Sequence, residues 1–278
     1  FGVQLARGTE ISLAFLAAVF VSNIPQALAP SAGLAESGWN WRRVAGMWLW
    51  VMLACGVAAG LGHFAATTFS GANGDFRTRF SETINNSGVW IDETTGATAI
   101  GNPFGGSFDQ ATFNNTGTFR KTGSAVTTII SVFNNTSSGA GTGVVDLQSA
   151  TLNLSGGGGT ANSGSSFTGA GATTLGFGNR TYNLQSGSNV NVATFALIGG
   201  GVIVNVGGSY SATATSINGT ANFIAGAVVS TVGALTISTG TANFNTGALV
   251  RITTLTLNGG ELSGADAVTV SGQATWNA

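Results

Sequence analysis

Charge is what this chain has least of. Asp, Glu, Lys and Arg make up 7% of its 278 residues, against about 25% in an average soluble domain. The formal net charge is −1, so the chain lacks the basic stripe with which a nucleic-acid binder displaces counterions. The same balance excludes an acidic tail and a polybasic membrane patch. A single cysteine, Cys55, rules out an intramolecular disulfide and a paired-cysteine metal knuckle. A single histidine, His63, leaves no His pair for a zinc site. Scarce charge and 44 glycines would suit a disordered chain, but 43% of the residues are apolar, enough to bury a core. The chain opens at Phe1 and not at Met, as expected of a fragment or a processed product.

What is present is repetition. Gly219-Thr220-Ala221-Asn222-Phe223 returns as Gly240-Thr241-Ala242-Asn243-Phe244, 21 positions on. Leu235-Thr236-Ile237 returns as Leu255-Thr256-Leu257, and Phe113-Asn114-Asn115-Thr116 as Phe133-Asn134-Asn135-Thr136, each 20 positions on. A fixed period near 20 marks stacked units that bury their apolar faces only against their neighbours. Within each unit the strand pattern is short, as in Leu152-Asn153-Leu154, Val202-Ile203-Val204 and Val268-Thr269-Val270. One side is aliphatic, the other Thr, Ser or Asn, and Gly-Gly, Ser-Gly and Asn-Gly punctuate the runs.

Strands of three to five residues with a corner every six or seven give about three sides per coil. The expected fold is therefore mainly β: a right-handed parallel β-solenoid with ~20-residue coils over 113–278, roughly eight coils tall. Phe223 over Phe244 and Leu235 over Leu255 are expected as inward ladders, and Asn222 over Asn243 as an amide ladder. A β-sandwich also has many short strands, but it does not predict the return of whole phrases. Gly156–Gly159 and Gly199–Gly201 fit the period poorly and read as loops or bulges.

Residues 1–68 differ in kind. Residues 11–35 carry no charge, and 44–66 none apart from His63. The second run is long enough to cross about 30 Å of hydrocarbon as a helix. Trp39, Trp41, Trp48 and Trp50 sit at its start, where aromatic belts occur. Pro25 and Pro30 break the first run, and Arg42-Arg43 place the intervening loop in the cytoplasm. The expectation is two transmembrane-like α-helices preceding the solenoid, in contact with membrane through residues 11–35 and 44–66. A rival reading makes 1–29 a secretory signal, with Ala27-Leu28-Ala29 as its cleavage box.

The run AVFVSNIPQALAPSAGL, followed by SGW and GMWLWVMLACGVAAGLG, resembles two successive helices of bacterial ZIP-family (Zrt/Irt-like) metal permeases. The family carries a His-Asn-x-Pro-Glu-type motif that coordinates a divalent metal within the membrane. Asn23 and Pro25 match that motif, while Ser22 stands where His is usual and Gln26 where Glu is usual. The resemblance implies Asn23 and Gln26 as metal-site positions and zinc or another divalent metal as cargo. An amide is a poorer ligand than a carboxylate for such a metal. Two spans alone make no pore.

Residues 69–112 hold Asp75, Arg77, Arg79, Glu82, Asp92 and Glu93 and read as a junction or a cap on the first coil. Ser87-Gly88-Val89-Trp90-Ile91-Asp92 alternates at period 2, as a strand does. Asp92 and Glu93 would point to opposite sides of it, which speaks against joint acid/base work. Arg120-Lys121 reads as a solvated corner. Asp146, Glu261 and Asp266 are too scattered for a glycosidase pair, and no phosphate loop or nucleophile motif occurs. Asn-x-Ser/Thr sequons at Asn114 and Asn218 are expected by chance in so Asn- and Thr-rich a chain.

Phrases such as FNNTGTFRKTGS and TLTLNGGELSGADAVTVSG resemble the repeats of autotransporter-passenger and adhesin-like β-helices of bacterial surface proteins. The resemblance implies export, surface display and contact with host or cell-surface glycans or proteins. The expected function is thus a non-catalytic, surface-displayed or secreted adhesin-like β-solenoid, with no catalytic residue and no cofactor. Its location is a membrane anchor or the cell surface. The alternative is a fragment of a ZIP-like divalent metal transporter fused, naturally or artefactually, to a repeat region.

Overall fold

The structure is a computed structural model that describes residues 34, 36–63, 67–69, 75–78, 82–101, 111–137 and 142–277. The chain forms two compact units, Phe1–Ala65 and Ala66–Ala278. In the first, helix α1 runs from Trp41 to His63. Asn40 caps it: its Oδ1 accepts the backbone N–H of Arg43 at 3.0 Å, which satisfies a donor the first turn cannot pair. The Arg42 guanidinium lies 5.9 Å from the Trp41 ring centroid.

The expected pair of membrane-crossing helices is not carried by these residues. The first, over 11–35, lies outside the described residues, as do Asn23 and Gln26. Among the described residues no helix is long and apolar enough to cross a membrane. The apolar run expected over 44–66 does not stand alone in α1, whose own first turn carries Arg42 and Arg43.

The second unit is a parallel β-solenoid with three faces. Its first face is a nine-stranded sheet that runs from Thr83–Asn86 through Thr112–Asn115, Val132–Asn135 and Gly159–Ala161. It continues through Thr181–Leu184, Ile203–Val206, Thr220–Phe223 and Thr241–Phe244 to Glu261–Gly264. The second face starts with Thr67–Phe69 and Val89–Asp92, the third with Phe76–Arg77 and Thr98–Gly101. These two faces belong to one 17-stranded sheet, because Asn189–Ile198 and Ser209–Ile217 run unbroken from one to the other. Residues 69–112, expected as junction or cap, thus supply strands to all three faces.

Corresponding residues stack in register. The step between coils is 29 residues from Asn86 to Asn115 and 20 from Asn115 to Asn135. Higher up it is 22 from Asn183 to Asn205 and 17 from Asn205 to Asn222. Strands of the first face hold three or four residues throughout, so the rest of each coil absorbs the difference. At a spacing of about 4.8 Å, nine coils make a rod of roughly 40 Å. The repeated phrases land on one another: Phe113 pairs with Phe133, Asn222 with Asn243, Phe223 with Phe244 and Leu235 with Leu255. Gly156–Gly157 form a bend and Gly199–Gly201 a turn between strands.

Alternation puts every second side chain inside. The aromatic column begins with Trp90, Phe113 and Phe133 and resumes from Phe177 through Phe195, Tyr210 and Phe223 to Phe244. Phe223 and Phe244 stack at 4.5 Å with planes 16° apart. Such a pair adds about 0.5–1.5 kcal/mol beyond the area it buries. Between the two stretches the first face offers only Gly159, and Tyr182 on the next coil turns its hydroxyl inward to donate to the Leu154 carbonyl at 2.7 Å. Burial pushes the hydroxyls of Tyr182 and Tyr210 well above the ordinary phenol range, so both remain protonated donors. Glycine is required where corners touch: a Cβ on Gly240 would lie 1.9 Å from the Gly219 carbonyl oxygen.

Candidate functional site

Three features of the solenoid carry polar groups in an ordered arrangement. The first is a groove of about 700 Å³ along the corner between the second and third faces. It arises from a change in corner length. In the lower coils, residues 148–150 and 170–173 bulge between the faces. One coil up, the strand Asn189–Ile198 turns the same corner without a loop. The step leaves a shelf lined by Asp146, Gln148, Thr168, Asn191 and Thr213, with Val192 and Ala193 at its floor.

Asp146 organises the shelf. Its Oδ2 accepts from Arg120 Nε and from Gln148 Nε2, both at 2.9 Å. Arg120 is stacked on Asp146 by strand register, so the ion pair bridges consecutive coils. Half exposed, it is worth under about 1 kcal/mol, but it orients the carboxylate. Asp146 is the one carboxylate among the described lining residues. A glycosidase needs two, about 5–10 Å apart, and the other polar lining side chains, Gln148, Thr168, Asn191 and Thr213, are amides and hydroxyls.

The second feature lies inside the stack. Asp92 and Lys121 are fully buried and 3.3 Å apart, on registered positions of adjacent coils. The Asp92 carboxylate also accepts from the Thr94 backbone N–H at 3.1 Å and from the hydroxyls of Thr94 and Thr127. Lys121 Nζ donates to the Gly123 carbonyl at 3.2 Å. The reading of Arg120-Lys121 as a solvated corner is therefore corrected: Arg120 points outward to bond Asp146 and Lys121 is interior. The strand carries Phe119 and Lys121 on one side and Arg120 on the other, as alternation requires. Asp92 is buried and Glu93 exposed, opposite one another as expected. Sequence reasoning missed the pairing, although carrying the 29-residue step from Asn86–Asn115 forward would have set Lys121 over Asp92.

The third feature is the outer surface of the first face. The expected amide ladder is longer than a single pair. Asn85, Asn114 and Asn134 occupy one column, which passes through Thr160 to Asn183, Asn205, Asn222 and Asn243 and closes at Ser263. Asn114 Nδ2 donates to Asn85 Oδ1 at 3.0 Å, and Asn134 Nδ2 to Asn114 Oδ1 at 2.9 Å. The same bond joins Asn205 to Asn183 at 2.8 Å and Asn222 to Asn205 at 2.9 Å. A second, buried ladder runs beside the lower part: Asn86 donates to Asn115 at 2.7 Å, and Asn115 to Asn135 at 2.8 Å.

The expected scatter of the remaining acids holds no cluster. Asp266 clasps a corner, accepting from the Thr246 hydroxyl and backbone and from the Gly247 backbone. The Thr246 hydroxyl bond holds its carboxyl below the usual carboxylate range. Among the described residues no three His, Cys, Asp or Glu side chains lie together to hold a metal.

The architecture defines the class: a three-faced parallel β-solenoid repeat protein. No family model, curated protein or solved structure matches the chain, so the resemblance of residues 1–68 to ZIP permeases gains no support from relatives.

Proposed function

We propose that this chain is a non-catalytic, surface-displayed or secreted repeat protein of adhesin type, whose solenoid presents polar, uncharged faces to glycans or proteins of other surfaces. The observation that carries the reading is the outer column of amides, hydrogen-bonded in two runs, Asn85–Asn114–Asn134 and Asn183–Asn205–Asn222, with no ionisable group among them. A stack of this kind holds a long array of identical contacts rigid, and many weak contacts on one body sum to avidity. The groove at Asp146 adds a second polar surface of sugar-sized dimensions.

The test is protease treatment of intact cells that make the chain, followed by immunoblotting for the solenoid. Display at the surface gives loss of the band without lysis, or its presence in the medium. A band cut only after lysis would end the surface reading.

A further inference from the structure

We propose that the first face is a binding surface for an extended, uncharged polysaccharide that lies along the stack. The inference rests on the binding role proposed above and narrows its ligand to one chemistry. Three observations support it.

The first is charge. From Thr83 to Asn243, no outward position of the strands on this face carries an ionisable side chain, and the first to do so is Glu261 on the last strand. Glu82 and Arg180 precede their strands at the corner and lie outside the columns. A charged polymer finds no counter-charge on such a surface, so an anionic glycan or nucleic acid gains nothing from it.

The second is hydrogen-bond capacity. An Asn amide has two N–H donors and two acceptor lone pairs. Within the ladder each interior rung spends one donor on the coil below and one lone pair on the coil above, as Asn114 and Asn205 do. Asn114 and Asn205 thus each keep one donor and one acceptor, in two runs of amides, Asn85–Asn134 and Asn183–Asn222, whose rungs are about 4.8 Å apart and which Thr160 separates. A sugar hydroxyl is also one donor and an acceptor, so a neutral polysaccharide presents the matching series. The ladder bonds already fix each amide, so little side-chain freedom is lost when a ligand arrives.

The third is the neighbouring column. Two residues before each amide stand Thr83, Thr112, Val132, Thr181, Ile203 or Thr220. This column is mostly threonine hydroxyls, with short aliphatic surface at Val132 and Ile203 against which the C–H face of a sugar ring packs. The two columns side by side form a strip one polymer chain wide.

The experiment uses the full chain and three insoluble or soluble probes: microcrystalline cellulose, chitin, and heparin as the anionic control. Co-sedimentation with a neutral polymer that persists in 1 M salt, with no heparin binding, is the expected result. Thr181→Lys with Thr220→Lys charges the strip while leaving the amide ladder intact, and is expected to cut retention at least tenfold at unchanged circular dichroism. Asn205→Ala tests the ladder itself and is expected to weaken retention severalfold. Gln148→Ala reads the groove separately: retention kept assigns binding to the first face, and retention lost assigns it to the groove.

Absence of retention on every neutral polymer overturns the inference, as does retention abolished by salt or by Gln148→Ala alone. Adsorption to growing ice without retention on any polysaccharide assigns the face to a water lattice and also overturns it. Retention by the purified chain together with failed surface display removes the adhesin reading and leaves this one standing; the reverse pair of results removes only this one.

Discussion

The lower coils, residues 83–135, and the upper coils, residues 203–264, close around different interiors. Below, the buried positions include Asn86, Asn115 and Asn135 in one hydrogen-bonded line and the Asp92–Lys121 pair among threonines. Above, the first and third faces send in Val206, Phe223, Phe244, Leu235 and Ile237, all essentially inaccessible to solvent. The step also differs. It falls from 29 to 20 residues across two lower coils and varies less above, from 17 between Asn205 and Asn222 to 21 between Asn222 and Asn243. Apolar side chains reward burial but tolerate sliding, while a buried hydrogen bond is lost entirely when its partner shifts. The lower stack is pinned by directional contacts where corner length varies; the upper stack is filled by repetition.

That contrast can be broken most forcefully at Lys121. Lys121→Ala strands the Asp92 carboxylate in the interior and is expected to cost about 3–5 kcal/mol, read as a fall in the urea midpoint. Replacing both partners, as Asp92→Leu with Lys121→Met, removes the stranded charge and should recover most of that loss. If the single variant matches wild type within experimental error, the pair pins nothing. In the upper stack, Phe244→Ala opens a cavity against Phe223 and is expected to cost about 3 kcal/mol, measured in the same titration. A loss no larger than that of a surface substitution would mean the column is not the main support there.

Asn115→Ala cuts the buried amide line in its middle, leaving Asn86 and Asn135 without their shared partner. Its expected cost is about 1–3 kcal/mol, with hydrogen exchange accelerating in both flanking coils and not in the upper stack. Uniform acceleration along the whole rod would erase the distinction between the two interiors. The smallest effect belongs to Asp266. Its carboxyl is held below the ordinary value of about 3.9, so its corner clasp is fully present above that value and is lost as pH falls through the lower folded one. NMR titration of Thr246 and Gly247 amides should show the change, and Asp266→Asn should abolish it.

The sequence made the upper stack easier to read than the lower. Exact phrases such as Gly219–Phe223 and Gly240–Phe244 announce both period and register, because residues that stack under the same constraints stay alike. The lower coils also repeat, in Phe113–Thr116 and Phe133–Thr136, but their preceding coil is 29 residues away, and that stretch looked like a junction. Lys121 was hidden for a related reason: a lysine beside an arginine resembles a solvated corner until its partner on the next coil is known. The groove was not legible at all, since it depends on residues 148–150 and 170–173 having no counterpart in the strand Asn189–Ile198. Corner length shapes a surface only after coils are stacked. The amide column was foreseen at one rung, Asn222 over Asn243, and its extension down the face needed the registers of coils whose spacing is irregular.

The stacked, in-register coils also determine how the molecule answers to tension. Each coil is held to the next by a line of strand hydrogen bonds, so a pull on one end of the chain loads the terminal coil first and spares those behind it. A coil that peels away releases about 20 residues, or roughly 70 Å of contour, against about 4.8 Å of rod lost. Asp92 and Lys121 lie on successive coils, so unravelling from the upper end separates that pair only when the lower coils open. A rod built in this way lengthens many-fold as its coils peel away.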